Sequence, residues 1–269
     1  GTMKRDLYFS KPLMNAAGSL GFAPDLQIRE VLETSHLSLG AFVTNPLSLR
    51  ARQPAAKSEV IEYPGGFLLH SGLPNPGFNT GLKKYASRWD KSDLPVIVHL
   101  MADRPEETQY MVQALEMQEN VMAAELGFAP LLANDILLLT LEMCVGELPL
   151  IFSLPVEQVL SLGPRLVQKG AQAISISAPR GALPLSPLTP NPSPKGRGEL
   201  ITGRLYGPSL FPRALETVYS AAKIGLPIIG AGGVWSKENA EAMLSAGALA
   251  VQVDAALWGF DFISSAPTT

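Results

Sequence analysis

Short apolar runs alternate along the chain with longer amphipathic segments. Runs such as 96–98 and 150–152 are apolar throughout and do not alternate with polar residues. Both faces of a parallel strand are covered in α/β proteins, so continuous runs of this kind predict buried parallel strands. We predict eight strands, at residues 13–17, 41–44, 95–100, 121–126, 148–154, 173–177, 227–230 and 248–253.

The segments between these runs have helical spacing of apolar residues and complete a series of strand–helix units. We predict helices at residues 25–34, 80–89, 105–118, 134–145, 156–169, 208–223, 236–246 and 255–260. Eight such units predict an α/β protein with a single (β/α)8 TIM barrel, in which strand eight pairs with strand one. The alternation alone leaves a doubly wound open sheet as the competing fold.

The length of 269 residues suits one barrel, because such domains have about 250 residues. We assign residues 3–263 to this domain, since Gly1 and Thr2 before Met3 resemble a cloning remnant. Residues 185–199, LSPLTPNPSPKGRGE, interrupt the order. Their prolines block both a helix and a central strand, and the segment has little apolar area to bury. We expect a flexible insertion after strand six, either a tolerated surface loop or a lid on the active-site face.

Composition narrows the classes of partner. Hydrophobic residues make up 46% of the chain and charged residues 17%, which suits a packed core rather than disorder. The net charge of -3 favours a small-molecule ligand over nucleic acid or a membrane surface. The single cysteine, Cys144, excludes an internal disulfide and favours a reducing, cytoplasmic setting, with the thiol as a small core residue. The spacing of His, Cys, Asp and Glu predicts no metal site.

The loop after predicted strand seven reads Gly230-Ala231-Gly232-Gly233-Val234. Glycines here let backbone N–H groups approach an anion, and many barrels bind phosphate at the loops after strands seven and eight. The alternative is a tight turn into a helix that Ser236 caps. Asp254 follows strand eight beside this loop and would repel a phosphate, unless it pairs with Arg180 or Arg204.

Two histidines are candidates for acid–base chemistry. His99 ends strand three on the predicted functional face, and His70 lies in a glycine-rich stretch that also contains Asn75. For each, the alternative is a surface histidine or a buried one with satisfied hydrogen bonds.

Five segments together resemble the dihydroorotate dehydrogenase family: LMNAAGSLG (13–21), GAFVTNP (40–46), LLHSGLPNPG (68–77), GRLYGPSLFPRALETVY (203–219) and PIIGAGGVWSKENAEAMLSAGALAVQV (227–253). Their order and spacing cover nearly the whole chain. The resemblance implies an FMN-binding barrel that oxidises dihydroorotate to orotate in pyrimidine biosynthesis. It implies that the flavin would contact Ala16, Ala17, Gly18, Thr44, Asn45, Gly207, Gly232, Gly233 and Asp254, and that the substrate would contact Gly72, Leu73 and Asn75.

The chain departs from the family at positions that carry chemistry. Asn45 and Ser153 stand where the family has lysines, and Ala178-Pro179 replaces an Asn-Thr step. The loop that would hold the catalytic base is shortened after Gly127, and Asp254-Ala255 replaces a Gly-Thr step. Losing one transition-state donor costs about 100-fold in rate, so losing several predicts loss of the family reaction.

We therefore expect a barrel that has lost this activity and binds a small-molecule ligand, with a homodimer as a further expectation. The alternative is a divergent FMN oxidoreductase with a different substrate. In that case His70, His99 or Tyr206 would be the acid–base group and Arg204 an anion clamp.

Overall fold

The computed structural model describes residues 5–34, 37–184 and 199–258. The strands are β1 Leu13–Asn15, β2 Phe42–Val43, β3 Glu59–Tyr63, β4 Gly66–His70, β5 Val96–Met101, β6 Val121–Gly127, β7 Leu150–Leu154, β8 Ala173–Ile176, β9 Arg180–Pro184, β10 Leu200–Tyr206, β11 Ile228–Gly230 and β12 Ala250–Val253. The α-helices are α1 Leu26–Thr34, α2 Phe78–Asp90, α3 Pro105–Glu116, α4 Asn134–Cys144, α5 Val156–Gln168, α6 Phe211–Lys223 and α7 Lys237–Ser245. Short 3-10 helices cover Pro208–Leu210 and Ala255–Trp258.

Eight parallel strands form the barrel, and the predicted fold is confirmed. Their order is β1-β12-β11-β8-β7-β6-β5-β2, so the last strand pairs with the first. An isolated parallel bridge between Met14 and Ala41 joins β1 to β2 and brings the two ends of this sheet together. A doubly wound open sheet is thereby excluded, because its edge strands would remain apart.

The apolar side chains form two separate cores. One lies inside the barrel and consists mainly of small aliphatic side chains: Met14, Ala41, Val43, Ile97, Ala123, Ile151, Ala173, Ile229 and Ala250. The larger core lies between the outer face of the strands and the helices. Cys144 belongs to this outer core, as predicted, and burial raises the pKa of its thiol to about 12.

A second sheet, of order β3-β4-β10-β9, was missed by the sequence analysis. Its strands are antiparallel and lie in the connections that follow β2 and β8. Both connections leave the barrel at the carboxyl ends of its strands, so this sheet covers the functional face. The hairpin between β3 and β4 turns at Pro64-Gly65, where Gly65 has a φ of 93°.

Three further predictions concern a helix cap, the terminal helix and the insertion, and their outcomes differ. Ser236 caps α7 as predicted, because its hydroxyl accepts a hydrogen bond from the Asn239 N–H at 3.1 Å. The expected terminal helix is a single 3-10 turn as far as the chain is described. The insertion predicted at 185–199 lies outside the described residues except for Glu199. Within the described ranges, no helix combines the length and apolar character needed to cross a bilayer.

Candidate functional site

A cavity of about 310 Å³ opens at the carboxyl ends of the barrel strands. Its lining mixes apolar side chains, among them Phe128, Leu154 and Ile176, with several polar and charged groups. Ligand sites commonly have this composition and a volume of about 300–1,000 Å³. The polar groups of the lining are His99, Glu125, Ser153, Glu157, Gln158, Ser177, Arg180, Arg204, Tyr206, Gln252 and Asp254.

The floor of the cavity is a layer of polar side chains. Side chains alternate across a strand, so residues two apart face the same side. His99, Glu125 and Gln252 each come two residues after a member of the inner core, namely Ile97, Ala123 and Ala250. Ser153 and Ser175 hold the same position relative to Ile151 and Ala173. These five residues, which we call the polar layer, therefore lie one level above the aliphatic core.

Hydrogen bonds join the polar layer around Glu125. Nδ1 of His99 lies 2.6 Å from Oε1 of Glu125. Its other oxygen, Oε2, accepts hydrogen bonds from Ser175 Oγ at 2.9 Å and Gln252 Nε2 at 2.8 Å. Both His99 and Glu125 are buried. Burial opposes ionisation of Glu125, but His99, Gln252 and Ser175 together hold the pKa of this carboxyl below its usual range.

This arrangement fixes the imidazole of His99. An ionised Glu125 can only accept a hydrogen bond, so Nδ1 is the donor and Nε2 is left for the cavity side. A Cβ added to Gly127 would lie 2.5 Å from Nε2, so only glycine leaves room for the ring. The Thr44 hydroxyl accepts a hydrogen bond from the His99 backbone N–H at 3.0 Å and holds the strand beneath. The structure can therefore present a ring nitrogen backed by a buried carboxylate, which is an arrangement suited to proton transfer.

The two arginines of the lining lie on the covering sheet. Arg180 of β9 pairs directly with Arg204 of β10, and both also line a second cavity of about 270 Å³. Tyr206 lies beside them in the main cavity and stacks on Phe67 with ring centroids 5.5 Å apart. Burial is the main reason that the pKa of the Tyr206 hydroxyl is raised above its ordinary value, so this hydroxyl stays a neutral hydrogen-bonding group well above neutral pH.

Asp254 does not make the ion pair suggested by the sequence. Its Oδ1 accepts a hydrogen bond from the next backbone N–H, that of Ala255, at 2.5 Å. No arginine of the described residues lies within salt-bridge distance of it. Burial raises the pKa of this carboxyl to about 6. At neutral pH a negative charge therefore lies in the cavity that Gly232 also lines.

The two glycines after β11 differ in what they contact. Gly232 lines the cavity with a φ of 107°, and a Cβ there would meet only the Ala214 side chain, at 3.1 Å. Gly233 instead packs on the start of α6, where a Cβ would lie 2.3 Å from the Phe211 nitrogen. Within the described chain, neither backbone N–H donates a hydrogen bond. The anion-binding interpretation of this loop and the tight-turn interpretation therefore both keep support.

Of the remaining residues predicted to contact the cofactor, some line the cavity and others stabilise the backbone around it. Ala16 and Ala17 line the cavity. Asn45 instead ties the chain to Gly21, because its Oδ1 accepts the Gly21 N–H at 3.1 Å and its own N–H donates to the Gly21 carbonyl at 2.8 Å. Gly207 is required by packing, since a Cβ there would lie 2.4 Å from the Gly65 carbonyl oxygen. Gly18 has a φ of 88° and open space around it, and Thr44 is buried under His99.

The substrate candidates lie near the second cavity. His70, Gly72 and Leu73 line it, and both Gly72 and Leu73 have positive φ angles. Asn75 is buried and organises the loop, because its Oδ1 accepts the Gly77 N–H at 3.0 Å and its Nδ2 donates to Ser48 and Leu73. The structure thus brings His99 and His70 to the same second cavity, while Tyr206 belongs to the main one.

Glu125, Ser175 and Gln252 belong to the site but were not among the residues predicted from the sequence. Each is a single polar residue in a strand that is otherwise apolar and buried on both faces. A lone polar residue in such a strand is itself a signal, because burying it requires a partner. The partners come from the parallel register, in which His99 pairs with Glu125.

The loop after β11 fits the phosphate of FMN poorly. It offers the two N–H groups of Gly232 and Gly233. However, the Ala255 N–H is already taken by Asp254, whose carboxylate lines the same cavity. The cationic side chains of the described lining, Arg180 and Arg204, lie on the covering sheet and not in this loop. A phosphate at the loop would therefore meet the Asp254 carboxylate where a cofactor site needs donors.

Comparison with known proteins agrees with the fold and with the resemblance. The family model of dihydroorotate dehydrogenase matches residues 3–128 and 192–265. The catalytic subunit of dihydroorotate dehydrogenase B (NAD(+)) from Petrotoga mobilis is 28% identical over 265 residues, covering 92% of this chain and 85% of the relative. Its counterpart from Pyrococcus horikoshii is 27% identical, covering 93% and 84%.

Among solved structures, DHODH from Eimeria tenella in complex with ferulenol superposes with a TM-score of 0.69. The superposition covers 94% of this chain and 77% of that chain at 14% identity, which supports the fold alone. The family model covers well over half of the sequence. The chain therefore belongs to the dihydroorotate dehydrogenase family.

Proposed function

We propose that this chain is a divergent family member whose barrel binds a small molecule in the main cavity but does not oxidise dihydroorotate. The observation that carries the proposal is at the end of β12. There the Asp254 carboxylate accepts the Ala255 N–H and adds a negative charge to the cavity that Gly232 lines. The resemblance implies that FMN would bring its phosphate to this loop. The same residues that would hold it instead oppose it.

The side chains at two further positions support the same conclusion. Asn45 and Ser153 stand where the resemblance implies lysines. The amide oxygen of Asn45 accepts a hydrogen bond from the Gly21 N–H. Ser153 contributes only a hydroxyl to the cavity. Neither supplies the positive charge that would stabilise a developing anion during oxidation. The cavity itself persists, which is why we propose binding rather than a purely structural barrel.

A divergent FMN oxidoreductase acting on another substrate is the second candidate. Two observations favour it. The N–H groups of Gly232 and Gly233 donate to no acceptor among the described residues, and His99 is hydrogen-bonded to Glu125 in an arrangement suited to proton transfer. In this candidate His99 exchanges a proton with the substrate through Nε2, while Glu125 stabilises the protonated ring. His70 and Tyr206 are the other acid–base candidates and lack a comparable carboxylate partner in the described chain.

We further propose a cytoplasmic protein with a small-molecule ligand and without a nucleic-acid or membrane partner. The net charge of -3 and the single, buried cysteine support this setting. A homodimer is proposed for the solution state. Light scattering coupled to size-exclusion chromatography tests the oligomer, and a monomeric mass would contradict it.

The deciding experiment is an absorption spectrum of the purified protein across the flavin bands, repeated after excess FMN and desalting. We expect no retained flavin and no dihydroorotate-dependent reduction of dichlorophenolindophenol. The matched variant is Asp254→Gly with Ala255→Thr, which removes the negative charge and adds a hydroxyl donor, and we expect it to bind FMN more tightly. Retained flavin with dihydroorotate turnover in the unmodified protein would refute the proposal. Retained flavin without that turnover would favour the second candidate.

A further inference from the structure

Arg180 and Arg204 face each other across β9 and β10. They are direct partners in the antiparallel register, so their side chains project from the same face of the sheet. Like charges placed directly opposite each other destabilise a sheet. The pair therefore carries a cost that sheet formation does not explain.

Neither guanidinium has a carboxylate partner in the part of the chain that the structure describes. Among the described residues, no Asp or Glu oxygen lies within 4.0 Å of either side chain. Asp103 acts on Arg180 only at longer range, and its own Oδ1 accepts the Ala129 N–H at 2.7 Å. Arg180 is exposed to solvent as a residue, and partial desolvation together with the neighbouring Arg204 lowers the pKa of its guanidinium.

Both arginines form part of the wall between the two cavities. Arg204 also lies beside the Tyr206 hydroxyl, which is a second hydrogen-bonding group at the same wall. Elsewhere the main cavity is lined by apolar side chains, by the polar layer at its floor and by four further polar residues, Glu157, Gln158, Ser177 and Asp254. Among the described residues, neither of these two carboxylates lies within salt-bridge distance of an arginine of the pair. A guanidinium binds a carboxylate or a phosphate through two parallel hydrogen bonds, and two guanidiniums side by side suit a group with several oxygens.

We infer that Arg180 and Arg204 form a clamp for the oxyanion group, carboxylate or phosphate, of the small molecule that occupies the main cavity. The inference rests on the proposed function and names the chemical class of its ligand. The bound oxyanion relieves the repulsion between the two arginines. The remainder of the molecule extends towards the floor, where His99 and Ser153 line the cavity.

Isothermal titration calorimetry with two probes tests the clamp: inorganic phosphate and malonate, each at constant ionic strength. The test variant is Arg180→Gln with Arg204→Gln. The matched control is Arg165→Gln, an exposed arginine in the last turn of α5, which runs towards the opposite end of the barrel. We expect the unmodified protein and the control to bind at least one probe, and the double variant to bind it about 10-fold or more weakly.

Binding of phosphate alone assigns a phosphate-bearing ligand, and binding of malonate alone assigns a carboxylate. Three outcomes would overturn the clamp: no binding of either probe, unchanged binding by the double variant, or an equal loss in the Arg165→Gln control. Failure of the proposed function is a separate result, because dihydroorotate turnover by the unmodified protein would refute that function and leave the titrations interpretable.

Discussion

Two neighbouring levels inside the same barrel are built in opposite ways. The lower level is the aliphatic inner core, represented by Ile97, Ala123 and Ile151. The polar layer lies two residues further along the same strands and centres on Glu125 and His99. Both levels are almost free of solvent contact. The lower one is stabilised by burial of apolar area, and the upper one only by complete hydrogen bonding.

The difference shows where the barrel tolerates change. The barrel needs closely packed apolar side chains in its lower level to be stable, whatever reaction takes place above them. The polar layer contributes little to net stability, because the free-energy cost of desolvating a buried charge offsets most of the favourable interaction with its partner. Its presence is therefore better explained by the chemistry of the cavity than by folding. The predictions below test this contrast.

The largest effect is expected when Glu125 loses its histidine. His99→Leu leaves a buried carboxylate without its strongest partner, and we expect a loss of about 4 kcal/mol in the free energy of unfolding at neutral pH. Urea denaturation measures it. The control is the double variant His99→Leu/Glu125→Leu, which removes the charge as well and should recover most of the loss. A loss below about 1 kcal/mol in the single variant would show that the pair is not coupled.

The pH dependence of the free energy of unfolding gives a second test of the Glu125–His99 pair, because the direction of its slope is predictable. The folded pKa of Glu125 is lowered, so its contribution to stability is present above its unfolded pKa and is lost as the pH falls through the folded value. In His99→Leu the carboxyl keeps its burial and loses its main stabilising partner, so protonation should become favourable. The pH slope from this residue should therefore reverse, with stability falling as the pH rises.

The lower level is tested by Ile151→Ala. Ile151 is fully buried in the inner core, and removing its methyl and methylene groups should cost about 3.5 kcal/mol, through lost transfer energy and a residual cavity. Ile151→Val, the matched control, should cost about 1 kcal/mol. Both variants should leave probe binding in the main cavity unchanged once folded. Equal losses in the two variants would mean that the core repacks around the site.

The two levels also differ in how far the sequence predicted them. Apolar runs such as 96–98 indicated the strands, because periodicity is a local property of each run. The pairing of His99 with Glu125 depends on the register between two parallel strands, which no local pattern sets. The covering sheet was missed for a similar reason. It joins Leu68 to Leu205, residues far apart in the chain that become neighbours only when the barrel has formed.

For the candidate site residues, the sequence predicted their positions better than their hydrogen-bond partners. The ends of β5 and β12 directed attention to His99 and Asp254, because polar residues after buried strands lie on the functional face. The role of Asp254 was not predictable. Its oxygen could accept from an arginine or from the adjacent Ala255 N–H, and only the local backbone geometry decides in favour of the second.

Asp254 provides the next test, at the rim above the polar layer. Burial raises its pKa from an ordinary 3.8 to about 6. A raised folded pKa means that the contribution to stability is complete below the unfolded value and is lost as the pH rises through the folded one. We expect the unmodified protein to lose about 2 kcal/mol relative to Asp254→Asn as the pH rises from acidic to neutral, allowing for residual solvent contact. Parallel melting curves of the two proteins across this range would contradict the assignment.

The smallest expected effect lies outside the barrel, at Ser236, which begins α7 just beyond the loop of Gly232 and Gly233. Ser236→Ala removes the hydroxyl that accepts the Asn239 N–H, so we expect a loss of about 1 kcal/mol in the free energy of unfolding. Ser236→Asp, which keeps an acceptor and adds a favourable charge at the helix N-terminus, should restore it. Chemical denaturation measures both. Because the cap lies outside the polar layer, Ser236→Ala should leave the pH profile of stability unchanged in shape. A changed profile would mean that the loop after β11 and the Glu125 network respond as one unit, and the separation of the barrel into independent levels would then fail at its upper rim.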